Sequence, residues 1–164
     1  MRHLKNKKRK EIEEYYKNFV ANIPNYIVKL KSILKKDAFN YSFDEISEVE
    51  KFYEFNFNKP SNFNLSKEEL DNIVASYLGT AFMWHFGGNW CLDLDKKSTS
   101  YGLAMLENYG GKDYDWIYVT PFSWIWYIES NQLENESIAQ MFERWIVYHK
   151  KNPQFIIEPV RNIQ

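Results

Sequence analysis

The chain has 164 residues, of which 45% are hydrophobic and 18% aromatic, with one cysteine and a formal net charge of -1. This apolar content excludes a disordered chain, and the single Cys91 excludes an internal disulfide and a thiolate metal cluster. No signal peptide is apparent, and the longest apolar stretch, Trp124 to Ile128, is too short to span a bilayer. We therefore expect one domain, residues 1–164, without a membrane span, in the reducing cytoplasm.

The first predicted element is an amphipathic helix. Its apolar residues recur at three- and four-residue steps at Ile12, Tyr15, Tyr16, Phe19, Val20 and Ile23. We expect this helix to end near Pro24, because proline disfavours helical geometry in the residue before it. The same spacing continues from Tyr26 to Leu34, which predicts either a second helix or a kinked continuation.

Two further helix starts are marked by a capping box and a hydrophobic staple. Ser42 with Glu45 predicts a helix that runs to about Asn56. Ser66 with Glu69 predicts another, after an Asn/Pro-rich loop over residues 58–64. The two staples are formed by Tyr41 with Ile46 and by Leu65 with Leu70.

The helix predicted from Lys67 to about Phe86 carries a large apolar stripe on one side. The other side carries small residues, namely Ala75, Ser76, Gly79 and Thr80. Glycine inside a helix costs roughly 1 kcal/mol against alanine, so Gly79 indicates close approach of another backbone. We expect a central helix covered on two sides, which ends at Gly87 and Gly88 with one of them in the left-handed conformation.

After this helix, apolar and polar residues alternate one by one, which is typical of strands. Three strands are predicted, from Trp90 to Leu94, from Tyr101 to Glu107 and from Trp116 to Val119. The last two are joined by a Gly-containing loop over residues 108–115. Short links between successive strands favour an antiparallel meander.

Two helices are predicted after the meander. Thr120 and Pro121 have the pattern of an N-cap followed by proline at the first helical position, and they open a short apolar helix to Glu129. An amphipathic helix follows from Ile138 to His149, and the tail after Pro153 carries no assignment. The predicted fold is α+β, with helices packed around a central helix (about 67–86) and a three-stranded antiparallel meander (about 90–120).

The sequence offers only three candidate catalytic residues. His85 and Cys91 could form a nucleophilic pair, but a core histidine and a buried cysteine explain them better. Glu107 closes an apolar strand beside a Gly-rich loop, where a water-facing strand end explains it equally well. We expect no catalytic residue and no cofactor. The alternative is a small hydrolase-like enzyme whose pocket contains one of these three residues.

Metal and phosphate motifs are missing. The histidines His3, His85 and His149 are scattered, whereas zinc requires ligands at short spacings. Asp93 and Asp95 could begin a calcium loop, but the required glycine and the later glutamate are absent. Gly87 and Gly88 follow a helix, whereas a phosphate-binding glycine loop precedes one. We therefore expect no metal site.

Charge is distributed unevenly along the chain. Residues 1–36 carry a balance of +8 and residues 37–72 a balance of -6. The basic N-terminal segment, residues 1–10, could bind nucleic acid or an anionic membrane surface, or could be a mobile, solvated tail. The acidity of the rest of the chain makes nucleic acid the less favoured partner.

The acidic segment around Glu48 favours a protein partner. Carboxylates interleaved with rings suit the capture of a basic protein surface, although a solvated helix face would show the same pattern. The candidate partner-binding residues are Asp44, Glu45, Glu48, Glu50, Glu54, Phe52, Tyr53 and Phe55.

Four short motifs resemble those of a loose group of small bacterial domains with a helix, a Gly-Gly-x-Trp corner, a strand meander and a closing helix begun by proline. The motifs are Tyr77-Leu78-Gly79, His85-Phe86-Gly87-Gly88-Asn89-Trp90, Tyr101-Gly102 and Pro121-Phe122, within residues 42–130. Some of these domains resemble immunity proteins encoded beside polymorphic toxins. The resemblance assigns no catalytic residue and implies an immunity protein that neutralises a cognate toxin, with a basic toxin domain as its partner.

Overall fold

A computed structural model describes residues 8–109, 118–132 and 136–151 of the chain, with the side chains up to residue 148. Five helices and one small sheet are formed in this part, so the broad α+β class is confirmed, with helix dominant. The elements in chain order are α1 (Arg9–Leu34), α2 (Phe43–Asn56), a short 3-10 helix (Pro60–Phe63), α3 (Lys67–Phe86), β1 (Asn89–Leu92), β2 (Ala104–Glu107), α4 (Pro121–Glu129) and α5 (Ile138–Lys151).

Helix α1 continues through Pro24, so the expected end at this proline is wrong and, of the two alternatives for residues 26–34, a continuation of the same helix is the one that forms. Proline lacks an N–H, which leaves the carbonyl of Val20 without its helical donor. Pro24 is exposed, and the buried residues Phe19 and Leu30 lie on either side of it in the core. Packing of both halves of the helix against the same core therefore outweighs one lost hydrogen bond.

The predicted starts of α2 and α3 are confirmed. The Ser42 hydroxyl accepts a hydrogen bond from the Glu45 N–H at 3.3 Å, and Ser66 accepts one from Glu69 at 3.1 Å. Each hydroxyl satisfies one of the backbone donors that a helix N-terminus leaves free. The staple residue Leu70 and its partner Leu65 are buried.

Helix α3 is the centre of the fold, since every residue from 72 to 82 is buried. Its small residues do face a neighbour, but that neighbour is a ring rather than a backbone. A Cβ added at Gly79 would lie 2.2 Å from the Trp90 ring and 3.2 Å from Pro121. The expected backbone approach is therefore corrected: Gly79 makes room for Trp90.

The sheet that the structure describes has two antiparallel strands, with Trp90 paired to Leu106. Strand β2 begins at Ala104 rather than Tyr101, because Gly102 forms a turn with a φ of 83°. Leu106 and Val119 exchange backbone hydrogen bonds of 2.7 and 3.2 Å as an isolated antiparallel bridge. The first half of the third predicted strand, residues 116 and 117, and most of the 108–115 loop lie outside the described residues.

Both glycines after α3 have positive φ, 72° at Gly87 and 97° at Gly88. The turn therefore uses two successive glycines, and Gly87, with a ψ of -157°, is not in the αL conformation that is typical of a helix C-cap. A Cβ at Gly88 would also lie 2.6 Å from the carbonyl oxygen of Glu107. The turn brings β1 directly against β2.

The start of α4 at Pro121 is confirmed, but Thr120 does not cap it through its side chain. Its hydroxyl instead donates to the Ala104 carbonyl at 3.0 Å and joins the helix to β2. Helix α5 begins at Ile138 as expected, and the tail after Pro153 lies outside the described residues. Among the described helices, none has the length and apolar character needed to cross a membrane.

The Gly79–Trp90 contact gives the first prediction. Gly79→Leu, and even Gly79→Ala, should lower the free energy of unfolding, by on the order of 1–3 kcal/mol or more for leucine, because the new side chain overlaps the Trp90 ring. Thermal unfolding of each variant measures the effect. Ala21→Leu, at an exposed position of α1, is the control and should change stability little. A raised melting temperature for Gly79→Leu would contradict the central position of α3.

Candidate functional site

The eight candidate partner-binding residues lie on two different sides of α2. Three of them, Glu45, Glu50 and Tyr53, are buried and engage other parts of this chain. Phe52 is half-buried, with its ring centroid 5.3 Å from that of Phe63. The exposed members are Asp44, Glu48, Glu54 and Phe55. These four are the candidates with the most surface available to a partner, and Phe52 offers less.

Glu45 holds the loop that precedes α2. Its carboxylate accepts hydrogen bonds from the N–H groups of Asn40 and Tyr41, at 2.9 and 2.8 Å, and from the Tyr77 hydroxyl at 3.2 Å. The expected capping box is therefore only half formed, since Glu45 reaches these two N–H groups rather than that of Ser42. A buried carboxylate with such partners stabilises the fold and cannot contact a protein surface.

Glu50 holds the start of α5. Its carboxylate accepts from the N–H of Ile138 at 3.0 Å, at the end of the helix where backbone donors lack partners. Burial raises the pKa of this carboxyl, and hydrogen bonds from Ile138 and Ala139 oppose the rise. The side chain thus caps α5 from α2.

Tyr53 points into the core towards α3 and α4. Its hydroxyl donates to Asp71 at 2.6 Å, contacts Glu129 as well, and accepts from Lys67 at 2.8 Å. The ring is fully buried. This group joins three helices and leaves no part of Tyr53 for a partner.

We call the remaining exposed residues, Asp44, Glu48, Glu54 and Phe55, the α2 face. Phe55 is 73% exposed, more than any other large hydrophobic residue of the described chain. Glu48 already pairs with Lys36 at 2.7 Å, whereas Asp44 and Glu54 have no ion pair within the described residues. The face therefore presents an apolar ring beside carboxylates that are free to receive cations.

A second feature is a cleft of about 700 Å³ on the outer side of the sheet. The described residues that line it include Cys91, Asp93, Asp95, Met105, Glu107 and Tyr118. Burial, followed by the negative charge of Glu107, raises the pKa of the Cys91 thiol to about 12. The thiol therefore stays protonated near neutral pH, and a protonated thiol is a poor nucleophile.

His85 is bonded away from Cys91. Its Nε2 donates to the Tyr41 carbonyl at 2.7 Å, and its ring stacks on Phe43 with centroids 5.3 Å apart. Burial lowers the pKa of His85 and favours the neutral ring. The described lining of the cleft includes Cys91 and Glu107 but not His85. The structure thus engages His85 elsewhere and does not show a Cys–His pair.

Among the described residues, no group of three or more His, Cys, Asp or Glu side chains could hold a metal ion. Of the basic segment, residues 1–7 lie outside the described part of the chain. Arg9 begins α1 and pairs with Glu13 at 2.7 Å. The phosphate-binding alternative therefore rests on the sequence alone.

One set of polar residues escaped sequence analysis. Lys67, Asp71 and Glu129 converge on the Tyr53 hydroxyl. The i, i+4 spacing of Lys67 and Asp71 was visible in the sequence as a helix ion pair. Glu129 lies 58 positions further along the chain than Asp71, and nothing in its local sequence indicates the contact.

The protonated thiol gives the second prediction. At pH 8 the thiolate fraction of Cys91 should be about three orders of magnitude below that of an unfolded cysteine. Because a thiol of higher pKa is intrinsically more nucleophilic, we expect alkylation by iodoacetamide to be only about a hundredfold slower in the folded protein. Glu107→Gln should speed the reaction, since it removes a charge that raises the pKa. Equal rates in folded and denatured protein would contradict a suppressed thiol.

Comparisons with protein-family models, with curated proteins and with solved structures find no match to this chain. The resemblance to immunity proteins therefore stays an expectation drawn from the four sequence motifs.

Proposed function

We propose that this protein is a protein-binding domain, an immunity protein that neutralises a cognate bacterial toxin by direct binding and without catalysis. The observation that carries the proposal is Phe55, a ring 73% exposed on the α2 face. Isolated apolar residues are common on protein surfaces. The exposure of Phe55 is informative because acidic residues lie on the same helix. Glu54 is its neighbour in sequence, and Glu48 lies seven positions earlier on the same helix.

An exposed aromatic residue on a helix that also carries exposed carboxylates suits one kind of partner. A few buried rings supply most of the affinity of a protein interface, and complementary charge raises the association rate. Asp44 and Glu54, which lack ion pairs within the described chain, would attract a surface rich in Arg and Lys. The partner of the proposal is accordingly a basic toxin domain with an apolar socket for Phe55.

Two finer features belong to the proposal. The protein acts in the cytoplasm, where a toxin with an intracellular target must be blocked. A third strand that contains Val119 would complete the antiparallel meander expected over about residues 90–120. The bridge between Leu106 and Val119 supports this third strand.

The experiment uses the open reading frames that flank the gene, because the resemblance implies a toxin encoded nearby. Each one is expressed from an inducible promoter in a bacterial host, with and without this protein. We expect one product to stop growth and co-expression to restore it. If no flanking product is toxic, or if this protein gives no protection, the immunity proposal fails.

The α2 face is tested with the purified pair. Phe55→Ala should weaken binding by about thirtyfold, which corresponds to loss of a hot-spot contact of about 2 kcal/mol. Glu54→Lys should slow association, and more strongly at low salt. Isothermal titration calorimetry and stopped-flow kinetics measure the two effects. Val28→Ala is the matched control, since Val28 is an apolar residue that is 60% exposed on α1. Equal affinity of the Phe55 and Val28 variants would exclude the α2 face.

The second candidate is a hydrolase-like enzyme, which the cleft beside Cys91 favours. Because the Cys91 thiol stays protonated, Glu107 is the candidate general acid or base in this cleft. The same growth assay separates the two functions. Protection by binding should survive Glu107→Gln, whereas protection by catalysis should be lost while binding to the toxin remains.

A further inference from the structure

Four side chains from three helices meet around one hydroxyl group. We call them the Tyr53 cluster: Tyr53 from α2, Lys67 and Asp71 from α3, and Glu129 from α4. The Tyr53 Oη lies 2.6 Å from Asp71 Oδ1 and 2.8 Å from Lys67 Nζ, and it also contacts Glu129 Oε1. Lys67 Nζ contacts the same two carboxylate oxygens. The four polar atoms therefore share five hydrogen-bonding contacts.

These five contacts exceed the protons that the side chains normally carry. A charged Lys67 has three N–H donors, one for each of its three contacts. Tyr53 has one O–H, which serves either Asp71 or Glu129 but not both. With both carboxylates ionised, one contact is left as two oxygens at hydrogen-bond distance with no proton between them. Such a contact is repulsive.

We infer that the Tyr53 cluster binds one additional proton, which lies between the Tyr53 hydroxyl and one of the carboxylates of Asp71 and Glu129. This proton gives each of the five contacts a donor. It also brings the formal charge of the cluster from -1 to zero, which suits a site that is partly removed from water.

The surroundings agree with this proton count. Burial is the main cause that raises the pKa of Asp71, and the negative charge of Glu129 adds to it, against Lys67 and Tyr53. The pKa of Tyr53 is also raised, by burial first and then by its carboxylate partners, so the phenol keeps its proton. From α1, Tyr15 interacts electrostatically with Asp71, while its hydroxyl donates to Asn72.

The additional proton makes the joint between α2, α3 and α4 sensitive to pH. A carboxyl group whose pKa is higher in the folded protein than in the unfolded chain stabilises the fold below the unfolded pKa. That stabilisation is lost as the pH rises through the folded value. Between the ordinary carboxyl pKa and the raised one, the unfolding constant should increase about tenfold per pH unit and then level off. This device does not depend on the proposed immunity function.

The direct experiment is a pH titration of the folded, full-length protein labelled with ¹³C at its side-chain carboxyl groups. NMR should show the Asp71 carboxyl carbon titrating at a higher pH in the folded protein than in the same protein unfolded in urea. This measurement requires no substitution. If the Asp71 carbon titrates at the same pH in both states, or at a lower pH in the folded protein, the cluster holds no additional proton and the inference is wrong.

The variant that removes the proton shortage is Tyr53→Phe. Without the hydroxyl, Lys67 has three N–H groups for two carboxylates, so no further proton is needed. Burial and Glu129 still raise the pKa of Asp71 in this variant, so we expect the pH dependence of urea unfolding to weaken without vanishing. Tyr127→Phe, on the exposed side of α4, is the control and should keep the full pH dependence. An unchanged pH dependence in Tyr53→Phe would overturn the role of the hydroxyl, even if the fold is stable.

Discussion

The contact between Gly79 and Trp90 is the constraint on which the rest of the structure depends. Helix α3 is buried over residues 72–82, so it must be contacted on all sides, and a glycine allows the strand β1 to bring an indole against it. Trp90 pairs with Leu106 in the sheet, and Leu106 bridges to Val119 before α4. The position of one ring thus sets how the sheet and the helix that follows it lie on the central helix.

Buried carboxylates also hold the helices of the fold in place. Glu45 and Glu50 on α2 accept backbone N–H groups from the preceding loop and from α5. A carboxylate that leaves water must find donors, and these two find them on different segments. The half-buried Glu129 joins α4 to Tyr53 in addition. Some of the acidic residues of α2 that suggested a partner surface therefore hold helix ends together inside the fold.

The sequence predicted the local elements better than the side-chain contacts. The starts of α2 and α3 followed from Ser42 and Ser66, because capping acts within one helical turn. Pro24 misled the prediction, because a local penalty of proline was outweighed by tertiary packing that sequence spacing does not show. The division of α2 into an inner and an outer face was also missed, since the donors that draw Glu50 inward come from Ile138. Contacts between residues so distant in the chain leave no local pattern.

The contacts that α2 makes with the rest of the fold also affect how well its exposed side could bind a partner. A binding surface gains affinity when its residues are already held in place, because less conformational entropy is lost on association. Glu45, Glu50 and Tyr53 tie three successive turns of the helix to the loop before it and to α3, α4 and α5. Phe55 lies two residues beyond the last of these ties. Phe55 is therefore carried by a helix that is held by its inner face, so the binding proposed for this ring would not require the helix to be ordered first.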